Sequence, residues 1–401
     1  MTTDFTVRLL LWGTAAGGVN ADNGIAAMNK TTRGVAGVPK ALVAMSGGVD
    51  SSATLVLLQR AGYDCIGITM RLFDPNAEAV RPDLACCTTK DVEDARLVCH
   101  TMHADHLIVD FKAQFKETVI EPFIQDYENG RTPNPCINCN RYLKFEELFW
   151  QAEEHGCDIV ATGHYARVEY DGQTGRWLLK KAVHEEKDQS YVLFNLTQEQ
   201  LARVRFPLGA MTKDQTRALA EEHRLPNAKK HESQDICFVP TGKYTDFIEE
   251  YTGKTYPEGN FVDVRTGQVL GTHKGIIRYT VGQRRGLGLA LPQSMYVTRV
   301  APEENTVYLG LDEDLFRREL IADDVNWIAY PGFESKSDEP LSVTAKVRYN
   351  QKDSPATVYP ADNGRIRVVF DEPQCAITRG QAVVLYDGET VVGGGTIDEV
   401  F

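Results

Sequence analysis

"AMSGGVDSSAT", residues 44–54, joins the apolar run "KALV" at 40–43 to the helical pattern "TLVLLQRAG" at 54–62. Two adjacent glycines, Gly47 and Gly48, stand between a strand pattern and a helix pattern, where backbone N–H groups and a helix N-terminus converge on an anion. The stretch lacks the lysine of a G-x-x-x-x-G-K-[ST] loop, so it is not built to grip a γ-phosphate for transfer. Hydroxyls at Ser46, Ser51 and Ser52 and the carboxylate of Asp50 instead offer oxygen ligands for Mg2+. A strand-to-helix bend without a ligand is the plainer reading, and the match in its context favours the phosphate.

Outward from this turn, apolar β-rich runs alternate with helical ones: "CIGITMRLF" (65–73), "TTKDVEDARLVCHTM" (88–102), "HLIVDF" (106–111) and "CDIVATGHYA" (157–166). Buried strands separated by amphipathic helices form a parallel sheet covered on both faces, so residues 40–240 read as an α/β nucleotide-binding domain. The chain has 401 residues, enough for two or three cores at roughly 150 residues per domain. Apolar residues make up 42% of it, the composition of a soluble globular protein, and no apolar run reaches the ~20 residues of a membrane span. Nine cysteines without a regular framework, and no secretory signal, imply reduced thiols in the cytoplasm. A net charge of −13 argues against indiscriminate nucleic-acid binding, a sum that local clustering overrides. Residues 1–39 show no period and read as a flexible extension, with Met28 a second candidate start.

Helical periodicity ends after "MTKDQTRALAEEHRLP" (211–226), and the turn residues that follow place a boundary near Pro240. From Arg265 to Pro302 there are six Lys/Arg and no Asp/Glu, so residues 241–315 read as a small basic central domain facing a polyanion. Residues 316–401 alternate as "LSVTAKVRYN", "ATVYPADNGRIRVVFD" and "GQAVVLYDGETVVGGG", with hairpin turns at Asn363-Gly364 and Asp387-Gly388, the pattern of a C-terminal all-β barrel.

"GRTPNPCINCNRYLKF" (130–145) puts Cys136 and Cys139 in a Pro-rich loop just before a helix, where the dipole favours thiolate. A third thiol, Cys237, follows in "HESQDICFVP" beside Asp235. A C-x-x-C pair also reads as half a zinc knuckle, yet no second pair or His pair completes four ligands, and redox or sulfur chemistry is the better reading. Adjacent Cys86 and Cys87 point apart, and His100, His103 and His106 run from a helix end into a strand and need not share a face. Neither group is read as a site.

S-G-G-x-D-S at 46–51 is the signature of the PP-loop ATP pyrophosphatases. With "GRTPNPCINCNRYLKF", "ATGHYAR" (161–167), "KDQSYVLF" (187–194), "SQDICFV" (233–239), "TVGQRRGLG" (280–288), "KVRYN" (346–350) and "LYDGETVVGGG" (385–395), the chain resembles the tRNA-specific 2-thiouridylases over residues 40–401. The resemblance implies that Ala44, Met45, Ser46, Gly47, Gly48, Val49, Asp50 and Ser51 bind ATP, with Met70 and Gly163 completing the pocket. It implies that Cys237 takes a sulfane sulfur as a persulfide from a cysteine desulfurase or sulfur-relay protein. ATP then adenylates O2 of the wobble uridine of a tRNA. Sulfur reaches C2 from the persulfide itself, or as hydrosulfide released when Cys139 attacks Cys237, and the two cysteines end as a disulfide.

The same resemblance assigns the flipped base to Asn134, Pro135 and Cys136, and tRNA contacts to His164, Lys187, Asp188, Gln189, Arg348, Tyr349 and Gln381. A stacked uracil cannot present C2 to sulfur, so extrusion is required. Arg203 to Lys230, with seven Lys/Arg against three Asp/Glu, and Arg265 to Arg299 offer phosphate contacts. Some family members carry Asp at position 136. With Cys there, a second route opens, in which Cys136, Cys139 and Cys237 hold an iron–sulfur cluster with one open iron. The missing fourth cysteine favours the persulfide. A PP-loop amidating ligase would carry a glutaminase module, and a universal-stress type nucleotide sensor would need neither the barrel nor three placed thiols.

Overall fold

The computed structural model describes residues 37–72, 89–230, 236–239, 243–335 and 338–401. The readings made for residues 1–36, with Met28, and for Cys86, Cys87 and Asp235 lie outside the described residues.

The first sheet is parallel in the order β3-β2-β1-β4-β7, built from β1 (Lys40–Ala44), β2 (Asp64–Arg71), β3 (Asp105–Asp110), β4 (Ile159–Ala161) and β7 (Val204–Arg205). Helix α1 (Val49–Arg60) leaves the carboxyl end of β1 at the central position of the sheet. Its residues from Ser51 to Leu58 are all buried, because a second helix, α2 (Lys213–Glu222), covers its outer side through Leu219 and Ala220. Thr212 starts α2 with a reciprocal cap, its hydroxyl accepting from the N–H of Gln215 and the Gln215 side chain accepting from the N–H of Thr212.

The central unit is a four-stranded sheet, β10-β11-β8-β9, formed by β8 (Gly259–Asp263), β9 (Val269–His273), β10 (Tyr296–Ala301) and β11 (Thr306–Gly310). The C-terminal unit runs β12-β15-β14-β13-β16-β17, from β12 (Phe316–Trp327) through β13 (Leu341–Lys346), β14 (Ser354–Pro360), β15 (Ile366–Cys375) and β16 (Ala382–Asp387) to β17 (Thr390–Val400). Pairing of β12 with β17 closes it into a barrel. Asn363 and Gly364 both take positive φ, 59° and 73°, in the turn between β14 and β15, as the primed hairpin turn requires.

Two features of the packing were not legible in the pattern of runs. A hairpin from inside the first segment, β5 (Arg167–Asp171) and β6 (Arg176–Lys180), adds to the edge of the barrel sheet through Lys180 beside Thr390. One apolar cluster also runs without a break from Leu42 and Ile68 of the first sheet, through Phe115, Phe123 and Cys139, to Phe261, Ile277 and Val297 of the central unit. Another joins Phe145, Tyr191 and Phe206 to Val384 and Tyr386 of the barrel. Gly394 makes that second contact close, since a side chain there would lie 2.7 Å from the ring of Phe194, while Gly393 and Gly395 abut β12 at Asn326 and Asp323.

Candidate active site

Gly47 takes φ +72°, and a Cβ there would lie 2.3 Å from the carbonyl oxygen of Asp91. Only glycine fits both constraints. Gly48 caps α1 with no side-chain bond to the first-turn N–H groups, the arrangement in which a helix N-terminus accepts an anion. The hydroxyls of Ser51 and Ser52 are bent back onto the Gly48 carbonyl at 2.9 and 3.0 Å, and Ser46 N–H donates to Ser51 Oγ at 3.2 Å. They shape the loop. Asn227 donates to the Gly47 carbonyl at 2.8 Å and to Ser52 Oγ at 2.9 Å, and Lys230 donates to the same carbonyl at 3.2 Å. Burial pulls the Lys230 ammonium down, but Asp91 and Asp94 outweigh it and hold it above its usual range.

Asp50 sits in the first turn of α1, where its carboxylate already has protein partners. Both its oxygens accept from Lys213 Nζ, at 2.7 and 2.8 Å, and one also accepts from the Tyr165 hydroxyl at 3.0 Å. The Lys213 side chain is 7% exposed and that of Asp50 30%. The cradle therefore fits the pyrophosphate end of ATP, with first-turn N–H groups and two nearby lysines. It does not offer Mg2+ an uncommitted carboxylate at Asp50.

Gly163 abuts this loop: a Cβ on it would lie 2.9 Å from Asp50 C and 3.0 Å from Ser51 N. Met70, near the end of β2, is buried in the apolar cluster that also contains Cys139. Ala44, Met45 and Val49 frame the turn, and Thr69 Oγ1 donates to the Met45 carbonyl at 2.8 Å.

The cysteine loop is built from three sides. Thr132 N–H donates to the Arg379 carbonyl at 2.8 Å, and Gln381 Nε2 donates to the carbonyls of Thr132 (2.8 Å) and Pro133 (3.3 Å), so the barrel shapes the turn. Arg131 reaches Asp398 at 3.2 Å and Asp126 at 3.4 Å. Gly130 lies against Val300 and Pro302 of the central unit. The helix starts earlier than its sequence suggests: Asn134 is the N-cap, its Oδ1 accepting from Cys136 N–H at 3.2 Å, and Pro135 takes the first position. Cys136 and Cys139 thus lie inside the helix, which winds as a π-helix over Cys139–Glu147. Cys136 is exposed and Cys139 buried.

Cys237 is half-buried next to Phe238, which is 1% exposed and edge-on to Phe115 (5.7 Å) and Phe123 (5.1 Å). Cys139 and Cys237 pack on the same apolar cluster. Among the described residues no three His, Cys, Asp or Glu side chains gather as metal ligands.

The residues assigned to tRNA fare differently. His164 is 7% exposed between Phe145 and Phe206, and burial followed by the charge of Lys144 holds its ring well below the usual pKa. Asp188 accepts from Ala182 N–H, Ser190 N–H and Ser190 Oγ, and Gln189 exchanges bonds of 2.9 Å with the backbone of Tyr165, so both brace the loop that carries Lys187. Arg348 donates to the carbonyls of Ala376 (2.7 Å) and Val281 (3.3 Å), tying barrel to central unit. Burial pushes the Tyr349 phenol up to about 12, with Asp188 and the Cys136 thiol adding to the rise.

The basic runs shrink in three dimensions. Arg265 pairs with Glu313 and Asp314, Arg278 with Glu249, and Arg299 with Glu304. Arg203 pairs with Glu153, Arg205 is buried on the carbonyls of Ala202 and Val204, and Lys213 and Lys230 serve the phosphate loop. Arg284 and Arg285 remain exposed on a glycine-rich loop. Sequence reasoning missed Tyr165, which lies inside the ATGHYAR motif, and Lys213, Asn227 and Lys230, whose only signal was lysine and asparagine in otherwise ordinary helical and turn patterns.

The family model described as the tRNA methyl transferase HUP domain matches residues 39–241, that of its PRC-barrel domain 245–311, and the aminomethyltransferase β-barrel domain 317–397. The chain is 48% identical over 360 residues to the tRNA-specific 2-thiouridylase MnmA of Clostridioides difficile (strain 630), covering 90% of this chain and 98% of that one. The chain belongs to the tRNA-specific 2-thiouridylase family. The relative of that name from Acetivibrio thermocellus is 48% identical over 359 residues, 89% of this chain and 99% of its own. A solved NMN synthetase from Francisella tularensis is 12% identical and covers 59% of this chain and 86% of its own, with a TM-score of 0.34. Among the described residues no helix is long and apolar enough to cross a membrane.

Proposed function

We propose that this chain is an ATP-dependent tRNA-uridine 2-sulfurtransferase that acts by adenylation and persulfide transfer. The observation that carries the reading is that Cys139 and Cys237, far apart in sequence, pack on one apolar cluster with Met70, against which Ala44 at the start of the phosphate turn also packs.

The first-turn N–H groups of α1 hold the pyrophosphate end of ATP, with Lys213 and Lys230, paired to Asp50 and to Asp91 and Asp94, bracing the base of the loop. Uracil O2 attacks the α-phosphorus, the bond to the bridging oxygen breaks, pyrophosphate leaves with the electron pair, and the N3 proton passes to solvent. AMP is then a good leaving group on C2. Cys237 carries a sulfane sulfur supplied by a cysteine desulfurase or relay protein. In one order its outer sulfur attacks C2, AMP departs, and Cys139 thiolate attacks Cys237 Sγ to free the thiocarbonyl. In the other, Cys139 attacks first and the released hydrosulfide attacks C2. Both orders leave 2-thiouridine and a Cys139–Cys237 disulfide, which an external thiol reductant resets. Asn134, Pro135 and Cys136 line the turn that receives the flipped base, with Gln381 holding its shape. The phenol of Tyr349 is near Cys136.

The test is pyrophosphate release from ATP with and without tRNA, with 2-thiouridine measured by mass spectrometry of digested tRNA, in wild type and in Cys237→Ser. The expected result is tRNA-dependent release in both proteins and 2-thiouridine only in wild type. Full thiolation by Cys237→Ser overturns the persulfide route, and release indifferent to tRNA overturns the adenylation.

A further inference from the structure

Between the phosphate loop and the cysteine loop lies a polar pair that the mechanism above leaves without a task. His164 Nδ1 is 2.6 Å from Thr162 Oγ1, and its Nε2 is 3.5 Å from Lys144 Nζ. Two placements fix where this pair stands. Gly163, the residue before His164, presses on the backbone of Asp50 and Ser51 at the start of α1. Lys144 follows Cys139 by about one turn of the continuous π-helix, which returns the two side chains to nearly the same face. Lys144 is half-exposed, whereas the imidazole behind it is enclosed by Phe145 and Phe206. Lys144 therefore joins the helix that carries Cys139 to the segment that presses on the start of α1, its ammonium meeting the imidazole next to Gly163. Lys213 and Lys230 are bound to Asp50 and to Asp91 and Asp94 at the base of the nucleotide cradle.

We infer that Lys144 is a catalytic residue of the adenylation step, contacting the α-phosphate as uracil O2 attacks it, and that His164 is its positioning residue. The inference rests on the sulfurtransferase reading. Negative charge grows on the non-bridging α-oxygens in that transition state, and a fixed N–H donor there stabilises it without reorganising. Burial keeps His164 neutral. A neutral ring facing an ammonium must accept at Nε2, so Nδ1–H donates to Thr162, and this bond locks the ring that aims Lys144. His164 thereby acts on tRNA thiolation from inside the protein.

The experiment measures single-turnover pyrophosphate release at saturating ATP and tRNA in wild type, Lys144→Gln, Lys144→Arg, His164→Gln and the double variant Lys144→Gln/His164→Gln. Thermal melting and tRNA binding are read on each. Lys144→Gln is expected to slow release by about 100-fold, the loss seen when one oxyanion donor is removed, with tRNA affinity and melting unchanged. Lys144→Arg should recover part of the rate. His164→Gln should slow release by a smaller factor that vanishes in the Lys144→Gln background, because a positioning residue has nothing left to position. Lys144→Gln with wild-type release, or with weakened tRNA binding and an unchanged saturated rate, overturns the inference and makes Lys144 a bystander or an RNA contact. Multiplying effects in the double variant overturn the role of His164. If Lys144→Gln melts early, Lys144→Arg decides: a folded Arg variant no faster than His164→Gln keeps neither role. Failure of wild type itself to release pyrophosphate with tRNA sinks the sulfurtransferase reading instead.

Discussion

Replacing Asp50 with Ala removes the carboxylate that accepts both bonds from Lys213 Nζ at 2.7 and 2.8 Å. The ammonium left behind is on a side chain only 7% exposed. Stranding a buried partner costs about 3–5 kcal/mol, and because the Asp50 side is 30% exposed and admits water, the figure here falls to about 2–3 kcal/mol. For a domain of this size that is a drop of about 5–10 °C in melting temperature. Tyr165 also loses its 3.0 Å acceptor, though its hydroxyl keeps Thr216 at 3.0 Å. The assay is a melting series of wild type, Asp50→Ala, Lys213→Met and the double variant. Lys213→Met in the Asp50→Ala background should recover most of the loss, since the uncompensated charge is gone. An Asp50→Ala protein that melts within 2 °C of wild type refutes the structural role of the pair. So does a double variant no more stable than Asp50→Ala.

Gly47→Ala should abolish pyrophosphate release and lower stability by at least the ~1–2 kcal/mol of a left-handed non-glycine residue, since its Cβ would also meet Asp91 O at 2.3 Å; near-normal turnover would disprove the tight-loop argument. Burial lowers the pKa of His164, and also of His106 and His273. The unfolded chain therefore takes up protons first as pH falls below ~6.5, and each buried histidine removes up to about 1 kcal/mol of stability per pH unit below that point. Denaturation midpoints of wild type and His164→Gln should converge as pH drops from 7 to 5, and parallel curves would contradict a neutral buried ring. Ala at Arg284 and Arg285 should weaken tRNA binding and flatten the log K against log salt slope by roughly one unit for each phosphate no longer neutralised. An unchanged slope removes that loop from the RNA surface. Anaerobically purified protein should carry no stoichiometric iron or labile sulfide and Cys136→Asp should stay active; iron with a dead Asp variant would restore the cluster route.

The α/β core, the phosphate turn and the C-terminal barrel were legible in the sequence because each is a local pattern. Glycines between a strand and a helix, β-runs spaced by helices, and Asn-Gly and Asp-Gly turns report backbone geometry within a few residues of themselves. The C-x-x-C spacing of Cys136 and Cys139 was legible for the same reason, whereas Cys237 took its role only from the family resemblance. What the sequence could not carry was the pairing of charges, which depends on which distant surfaces meet. Arg265 looked like part of a basic face until Glu313 and Asp314 were folded against it, and nothing in the sequence around Asp50 foretold that α2 brings Lys213 to both its oxygens. The packing of His164 between Phe145 and Phe206 was likewise not legible in its motif. Only the tertiary structure decided these, because a Coulombic or hydrogen-bond partner is set by position in space, and residues such as Gln381 and Thr132 become neighbours only when the barrel docks.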